Sequence, residues 1–150
     1  MTDTATTLAD RTATLADQAV ALRAEKGYNC AQAVACALAP EVGADVDAVY
    51  RLSEGFGSGM GTTTETCGAL SGAIMVLSQL ESAGTAAPGT TKAATYRLVR
   101  ELVEGFREAN TTTVCRELKG IGTGQGALRS CPGCIEDAVM LSCRIIDAAR

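Results

Sequence analysis

The stretch Leu8-Ala-Asp-Arg-Thr-Ala-Thr-Leu15-Ala-Asp-Gln-Ala-Val-Ala-Leu22 decides the fold class. Its three leucines stand seven residues apart, with alanines and Val20 between them. Such a stripe belongs to a helix, because apolar residues in a half-buried strand alternate. The period predicts one long helix over about Thr6 to Lys26, stopped by Gly27. The same grammar continues along the chain. A second helix starts at Asn29 and ends before Pro40, with Asn29 and Gln32 at capping-box spacing. Asp45 caps a third over Val46 to Glu54, and Thr66 caps a fourth over Cys67 to Leu80. Gly84 to Thr90, with Pro88 and Gly89, reads as a turn. A fifth helix runs from about Thr91 to Ala109 and is expected to bury Tyr96, Val99, Val103 and Phe106. Thr113 caps a short sixth through Leu118, and Gly120 to Gly126 is a glycine-rich loop. Pro132, at a first helical position, opens the last helix to about Ala148. No alternating strand pattern persists, and neither a repeat nor a linker interrupts the chain. The expectation is an all-α fold: a compact single domain over residues 1–150, a bundle of about six or seven helices.

The 150 residues suffice for a real core without disulfide staples. Apolar residues make up 47% of the chain, which argues against disorder. Aromatics are only 3%, so Ala, Leu, Val, Ile and Met must fill the core, which suits close helix packing. Formal net charge is -4 and no basic run occurs, so nucleic acid is a poor partner. The segment Met1 to Arg11 lacks the apolar centre of a signal peptide. No stretch approaches the roughly 18 consecutive apolar residues of a membrane span. A cytoplasmic protein away from the membrane is expected.

Seven Cys and no His do most to narrow the chemistry. Without His there is no Cys-His or Ser-His dyad, no mixed Cys/His zinc site and no c-type haem attachment. An odd number of cysteines without a signal peptide argues against a secreted disulfide scaffold. Cys30, Cys67, Cys115 and Cys131 fall at or just after the predicted caps of four different helices. A helix N-terminus carries partial positive charge and unpaired N–H groups, and both stabilise a thiolate, the metal-binding form. If the four helix heads converge, they form a pocket for a thiolate-bound metal centre. The alternative is that they are buried fillers. Cys36 and Cys143 lie inside helices and read as small core hydrophobes. Cys134 completes Cys131-Pro-Gly-Cys134, spaced for a redox pair or two metal ligands. It reads equally as a spare ligand, a resolving thiol or a side chain with no role.

In Gly55-Phe-Gly-Ser-Gly-Met-Gly61 four glycines stand at every second position, which no stable helix tolerates. It lacks the Lys-Ser/Thr of a nucleotide loop. Gly57, Gly59 and Gly61, with Gly68 after Cys67, are candidates for close backbone approach to a bound centre, since N–H groups near the sulfurs tune a cluster. The bland reading is a tight connection between crossing helices. Arg116 and Lys119 could neutralise an anion or simply be solvated. Asp10, Asp17, Glu101, Glu104 and Glu108 read as exposed helix faces, and no catalytic residue is assigned.

Five pieces of the chain carry a resemblance: Tyr28-Asn-Cys-Ala-Gln-Ala-Val34, Gly55-Phe-Gly-Ser-Gly-Met-Gly61, Thr66-Cys-Gly-Ala-Leu-Ser-Gly72, Cys115-Arg-Glu-Leu118 and Cys131-Pro132. Ordered over about residues 27 to 145, they resemble the C-GCAxxG-C-C family of "putative redox-active proteins". The resemblance implies a helical bundle with four key cysteines, Cys30, Cys67, Cys115 and Cys131. That family is similar to the iron–sulfur part of split-Soret cytochromes, which implies that some of these cysteines hold such a cluster. No haem carries over, because the chain has no His. Cys36, Cys134 and Cys143 depart from the pattern.

The leading expectation is therefore electron transfer or redox sensing through an iron–sulfur cluster of open type, with thiolates from Cys30, Cys67, Cys115 and Cys131 and with Cys134 as a further candidate. It entails a redox partner protein and is compatible with a homodimer. Two alternatives stand beside it. One is a metal-free thiol–disulfide oxidoreductase using Cys131 and Cys134. The other is a structural zinc site with four thiolate ligands.

Overall fold

A computed structural model describes residues 6–150, so the part of the Met1 to Arg11 reading that concerns residues 1–5 lies outside the described residues. The fold is all-α. Its helices are α1 (Leu8–Lys26), α2 (Cys30–Leu38), α3 (Val46–Ser53), the single turn α4 (Gly57–Met60), α5 (Gly68–Glu81), α6 (Lys92–Asn110), α7 (Cys115–Lys119) and α8 (Cys131–Ala149). Short 3-10 turns follow α2, α3 and α5. Among the described residues, the only β-type pairing is one isolated antiparallel bridge, Thr66 to Val114. No described helix is long and apolar enough to cross a membrane.

The caps explain most of the boundaries. Thr7 caps α1 in a capping box with Asp10, and Gly27, at φ 81°, ends it. Asn29 and Gln32 form the box at the head of α2, with Gln32 N–H donating to Asn29 Oδ1 at 2.9 Å and Asn29 N–H to Gln32 Oε1 at 3.0 Å. Asp45 caps α3 through its bond from the Ala48 N–H. Three expected caps move. Cys67, not Thr66, is the N-cap of α5, and Val114, not Thr113, is that of α7. Backbone pairing between the two segments claims the threonines: Thr66 bridges Val114, and the Thr113 carbonyl accepts from the Cys67 N–H at 2.8 Å. Ser130 caps α8 by accepting from the Gly133 N–H, which puts Cys131 at the first helical position and Pro132 at the second.

The core is one cluster in which α5 packs on α2, α6 and α8, and α1 lies against α2 and α8. Phe106 is its largest fully buried side chain, followed by Leu38, Leu70, Leu77, Leu102, Ile135 and Ile146. The α6 stripe differs from the sequence expectation. Leu98, Leu102 and Phe106, spaced by four, are buried, whereas Val99 and Val103 are half-buried and Tyr96 is exposed. Leu98 and Tyr96 are two residues apart and so face opposite sides of a helix; the bundle took the leucine side.

Two arginines, one in α1 and one at position 150, meet at Glu41. Arg11 bonds both carboxylate oxygens of Glu41, one at 3.0 Å, and Arg150 donates to the Glu41 carbonyl. The Arg11 hydrogen bond holds the Glu41 carboxyl below the usual glutamate range, with burial opposing it. A lowered folded-state pKa stabilises the fold above the unfolded pKa, and that contribution vanishes as pH falls through the folded value. Glu41→Gln is therefore expected to lower the thermal midpoint at neutral pH, with the difference from wild type shrinking as the buffer is taken into the acid range. A difference independent of pH would contradict the pairing.

Candidate functional site

The capping box at the head of α2 does more than start a helix. Asn29 Nδ2 donates to the Glu54 carbonyl at 2.8 Å, and the buried Gln32 donates to the Tyr50 carbonyl at 3.2 Å. Tyr50 in turn meets Tyr28 edge to face, with ring centroids 5.0 Å apart. Cys30, the first residue of α2, is thus held from both sides. Two glycines of α5 then bring the second cysteine to it. A Cβ on Gly68 would lie 3.2 Å from the Ala31 nitrogen and 3.0 Å from the Phe56 carbonyl, and one on Gly72 would lie 2.4 Å from the Ala31 carbonyl oxygen. Four residues apart, both face α2, so the two helices meet at backbone contact and bring Cys67 into the same recess as Cys30.

That contact is testable. Gly72→Ala must push α5 from α2, and overpacking of this kind costs about 1–3 kcal/mol. Alanine contributes at most about 1 kcal/mol over glycine in a helix. A net loss in urea midpoint is expected for Gly72→Ala and none for Gly55→Ala, whose Cβ would meet nothing within 4 Å. An unchanged midpoint for Gly72→Ala would mean that the helices are not seated on this glycine.

Cys115 arrives through the short backbone ladder. Its N–H donates to the Glu65 carbonyl at 2.9 Å, and the Arg116 N–H to the Thr63 carbonyl at 2.7 Å. With the bond from the Cys67 N–H to Thr113, these register the head of α7 beside the head of α5. The glycine run forms a left-handed turn, with Ser58 at φ 52° and ψ 47°, Gly59 at φ 59° and ψ 53°, and Met60 at φ 59°. Left-handed backbone costs a non-glycine residue about 1–2 kcal/mol. The Gly57 and Ser58 carbonyls hold the turn by accepting from the Gly61 and Thr63 N–H groups at 2.9 and 2.8 Å. Strain of this kind clusters at functional sites. Here it lays Gly59 against Cys115, where an added Cβ would lie 3.3 Å from the sulfur and 2.6 Å from Cys115 Cβ.

Cys131 and Cys134 come from the head of α8. Arg129 lies across that head, where a Cβ on Gly133 would meet its Nε at 2.5 Å. Its guanidinium bonds both Asp137 oxygens at 3.1 Å. One recess is lined by Cys30, Cys67, Cys115, Cys131 and Cys134, together with Ser58, Gly68, Leu118, Lys119 and Arg129. Cys67, Cys115 and Cys134 are buried, whereas Cys30 and Cys131 are half-buried. The structure thus gathers all five cysteines named from the sequence. Of the four glycines, Gly68 lines the recess and Gly59 backs it. Gly57 packs beneath Asn29, and Gly61 ends the turn with open space around it. Cys36 and Cys143 are buried elsewhere, inside α2 and α8.

The titrations of Cys30 and Cys131 are linked across the recess, as are those of Cys67 and Cys134. Cys131 and Cys134, the alternative redox pair, line the recess together from the head of α8. The hydrogen bond from Cys30 draws Cys131 down to about 6 against its burial, helped by Lys119 and Arg23. The bond from Cys134 draws Cys67 down to about 7, with the Ala69 and Leu70 amides helping and burial opposing. Cys30 and Cys134 are pushed up, first by these same bonds and then by burial. Burial also raises Cys115. The Ala69 and Leu70 N–H groups face the Cys67 sulfur without forming a tight cap bond. Among the described residues, no three Cys, Asp or Glu side chains stand arranged to hold a metal ion.

Sequence reading located the cysteines but not Arg129, which closes the recess; its only signal was its place two residues before Cys131. Residues 28–145 match the profile of a family described as "Putative redox-active protein (C_GCAxxG_C_C)". No curated protein and no solved structure matches the chain.

Proposed function

Because the chain belongs to the C_GCAxxG_C_C family, described as "Putative redox-active protein", we propose that it carries an iron–sulfur cluster for electron transfer or redox sensing, held by Cys30, Cys67, Cys115 and Cys131. The observation that carries this reading is the convergence of thiols from four separate helix heads on one recess. The donor set fits: cluster irons take four ligands, usually thiolates, and this recess offers five thiols and no imidazole. A single structural zinc would need four sulfurs about 2.3 Å from one point. A cluster of two or more irons spreads its thiolates further, which suits thiols that arrive from four separate helix heads. When bound, the group supplies one-electron chemistry.

The chain's own residues do the rest. Lys119 and Arg23 offset thiolate charge at Cys131. The Ala69 and Leu70 amides do the same at Cys67, and such contacts tune potential. Leu118, with buried Cys67 and Cys115, keeps water from the inner side. Electron transfer requires a redox partner protein.

Anaerobic purification followed by iron, acid-labile sulfide and zinc analysis tests the reading. Iron with comparable sulfide supports it. Zinc without sulfide would replace it with a structural zinc site. A metal-free chain would leave thiol chemistry alone.

A further inference from the structure

Away from the recess, Met140 and Arg144 stand one turn apart on the outer face of α8, and both are exposed. A groove runs along each side of this ridge. One, of about 430 Å³, separates α8 from Gly105, Glu108 and Ala109 of α6. The other, of about 420 Å³, separates it from Ala9, Thr12 and Ala13 of α1. Met140 and Arg144 line both grooves. The gaps stay open because Gly105 with Ala109, and Ala9 with Ala13, are small pairs one turn apart on the flanking helices. The charges on the ridge are ordered about Met140. Four residues after it, Arg144 forms no ion pair among the described residues. Four and three residues before it, Glu136 and Asp137 share one guanidinium, that of Arg129, so their turn keeps a surplus carboxylate. Glu108 and Asp147 add negative charge at the groove walls.

We propose that this face binds a second copy of the chain, with the two α8 helices antiparallel and the two-fold axis beside Met140. The charge order is what a two-fold axis requires. Antiparallel pairing sets a residue a given number of places after Met140 near the partner's residue the same number before it. Each Arg144 therefore meets the acidic turn that ends in the partner's Asp137, and symmetry makes the contact twice. A parallel pairing would set Arg144 against the partner's Arg144 and gain nothing. A different protein would give no reason for opposite charges to stand at equal distances from one residue. The contact residues suit the role, since Met and Arg are enriched where proteins meet. The grooves beside the ridge take the side chains that the partner's ridge presents. Cys131, nine residues before Met140, lies about 13.5 Å along α8 from the axis. The two recesses thus lie at opposite ends of the interface. The dimer needs no bound metal and does not rest on the cluster reading.

The test is sedimentation velocity of the full chain from low to high micromolar concentration, kept reduced so that no disulfide joins the copies. The mass should reach that of two chains, and the thermal midpoint should rise with concentration. Met140→Glu should be monomeric throughout, with the wild-type far-UV spectrum, because Met140 is 46% exposed. Arg144→Glu should weaken association by about tenfold or more, since it sets like charges together. Adding Glu136→Arg to Arg144→Glu should restore association, because the two charges then exchange places across the axis. Leu128→Glu, at an exposed apolar residue outside both grooves, should dimerise as wild type does. A wild-type chain that stays monomeric would overturn the proposal. So would a dimer that survives Met140→Glu, one that dissolves in Leu128→Glu, or a double variant no tighter than Arg144→Glu alone. Sedimentation reads mass whether or not iron is present, so its failure leaves the cluster reading standing, and an iron-free protein leaves this one standing.

Discussion

Cys67→Ser is expected to lose essentially all bound iron while folding at least as well as wild type. The position makes this a clean experiment. Cys67 is the N-cap of α5, and its side chain makes no tight cap bond. Serine is among the best N-cap residues, so the hydroxyl should strengthen the helix head. The thiolate alone is removed. Losing an outer hydrogen-bond partner of a metal ligand already costs about 10–100-fold in metal affinity, and losing the ligand itself should exceed that. Cys36→Ser supplies the comparison, because Cys36 lies outside the recess with its sulfur 3.8 Å from the Val46 carbonyl. Iron per chain after anaerobic reconstitution, measured beside a thermal melt, checks both halves. Iron retained by Cys67→Ser would remove this residue from the ligand set. Iron lost equally from Cys36→Ser would show that general damage, not ligand loss, is being read.

The largest expected effect on stability is that of Phe106→Ala. Phe106 is fully buried within a core otherwise built from small and aliphatic side chains. Truncating a buried Phe to Ala costs about 3–5 kcal/mol through lost burial and the cavity left behind. Domains of this kind have roughly 5–15 kcal/mol in total. For a chain of this length the loss corresponds to a fall in midpoint of roughly 6–20 °C. Leu128→Ala, at a residue 59% exposed, should change stability by less than about 0.5 kcal/mol. A fall for Phe106→Ala no larger than that for Leu128→Ala would contradict the packing described. The recess depends on this core, because α5 and α8, which carry Cys67, Cys131 and Cys134, both pack on α6.

What the sequence disclosed follows how locally each feature is encoded. Helix class, the Gly27 stop, the Asn29–Gln32 box and the Asp45 cap are settled by neighbours in the chain, and each stands where the pattern put it. The caps at Thr66 and Thr113 moved by one residue because a long-range backbone pairing, invisible to local grammar, uses those threonines. Tyr96 was misplaced because two apolar stripes compete on α6 and only tertiary packing chooses between them. The gathering of cysteines was legible for an indirect reason: thiols at helix heads can meet only if the heads do, and family resemblance named the same four. Cys131-Pro-Gly-Cys134 by itself does not disclose that Cys30 of α2 and Cys67 at the head of α5 line the same recess, because only the packing of the helices brings them there. The purpose of Gly68 and Gly72 emerged only with Ala31 opposite them.

The central claim is that the thiol recess holds an iron–sulfur cluster. The most direct test is the visible absorption and electron paramagnetic resonance of the anaerobically purified chain, before and after one-electron reduction. The account predicts broad sulfur-to-iron charge-transfer absorption that weakens on reduction, with a paramagnetic signal changing in step, and the loss of both in Cys67→Ser. A chain that is colourless and silent as purified, and stays so after anaerobic incubation with ferrous iron and sulfide, would contradict it.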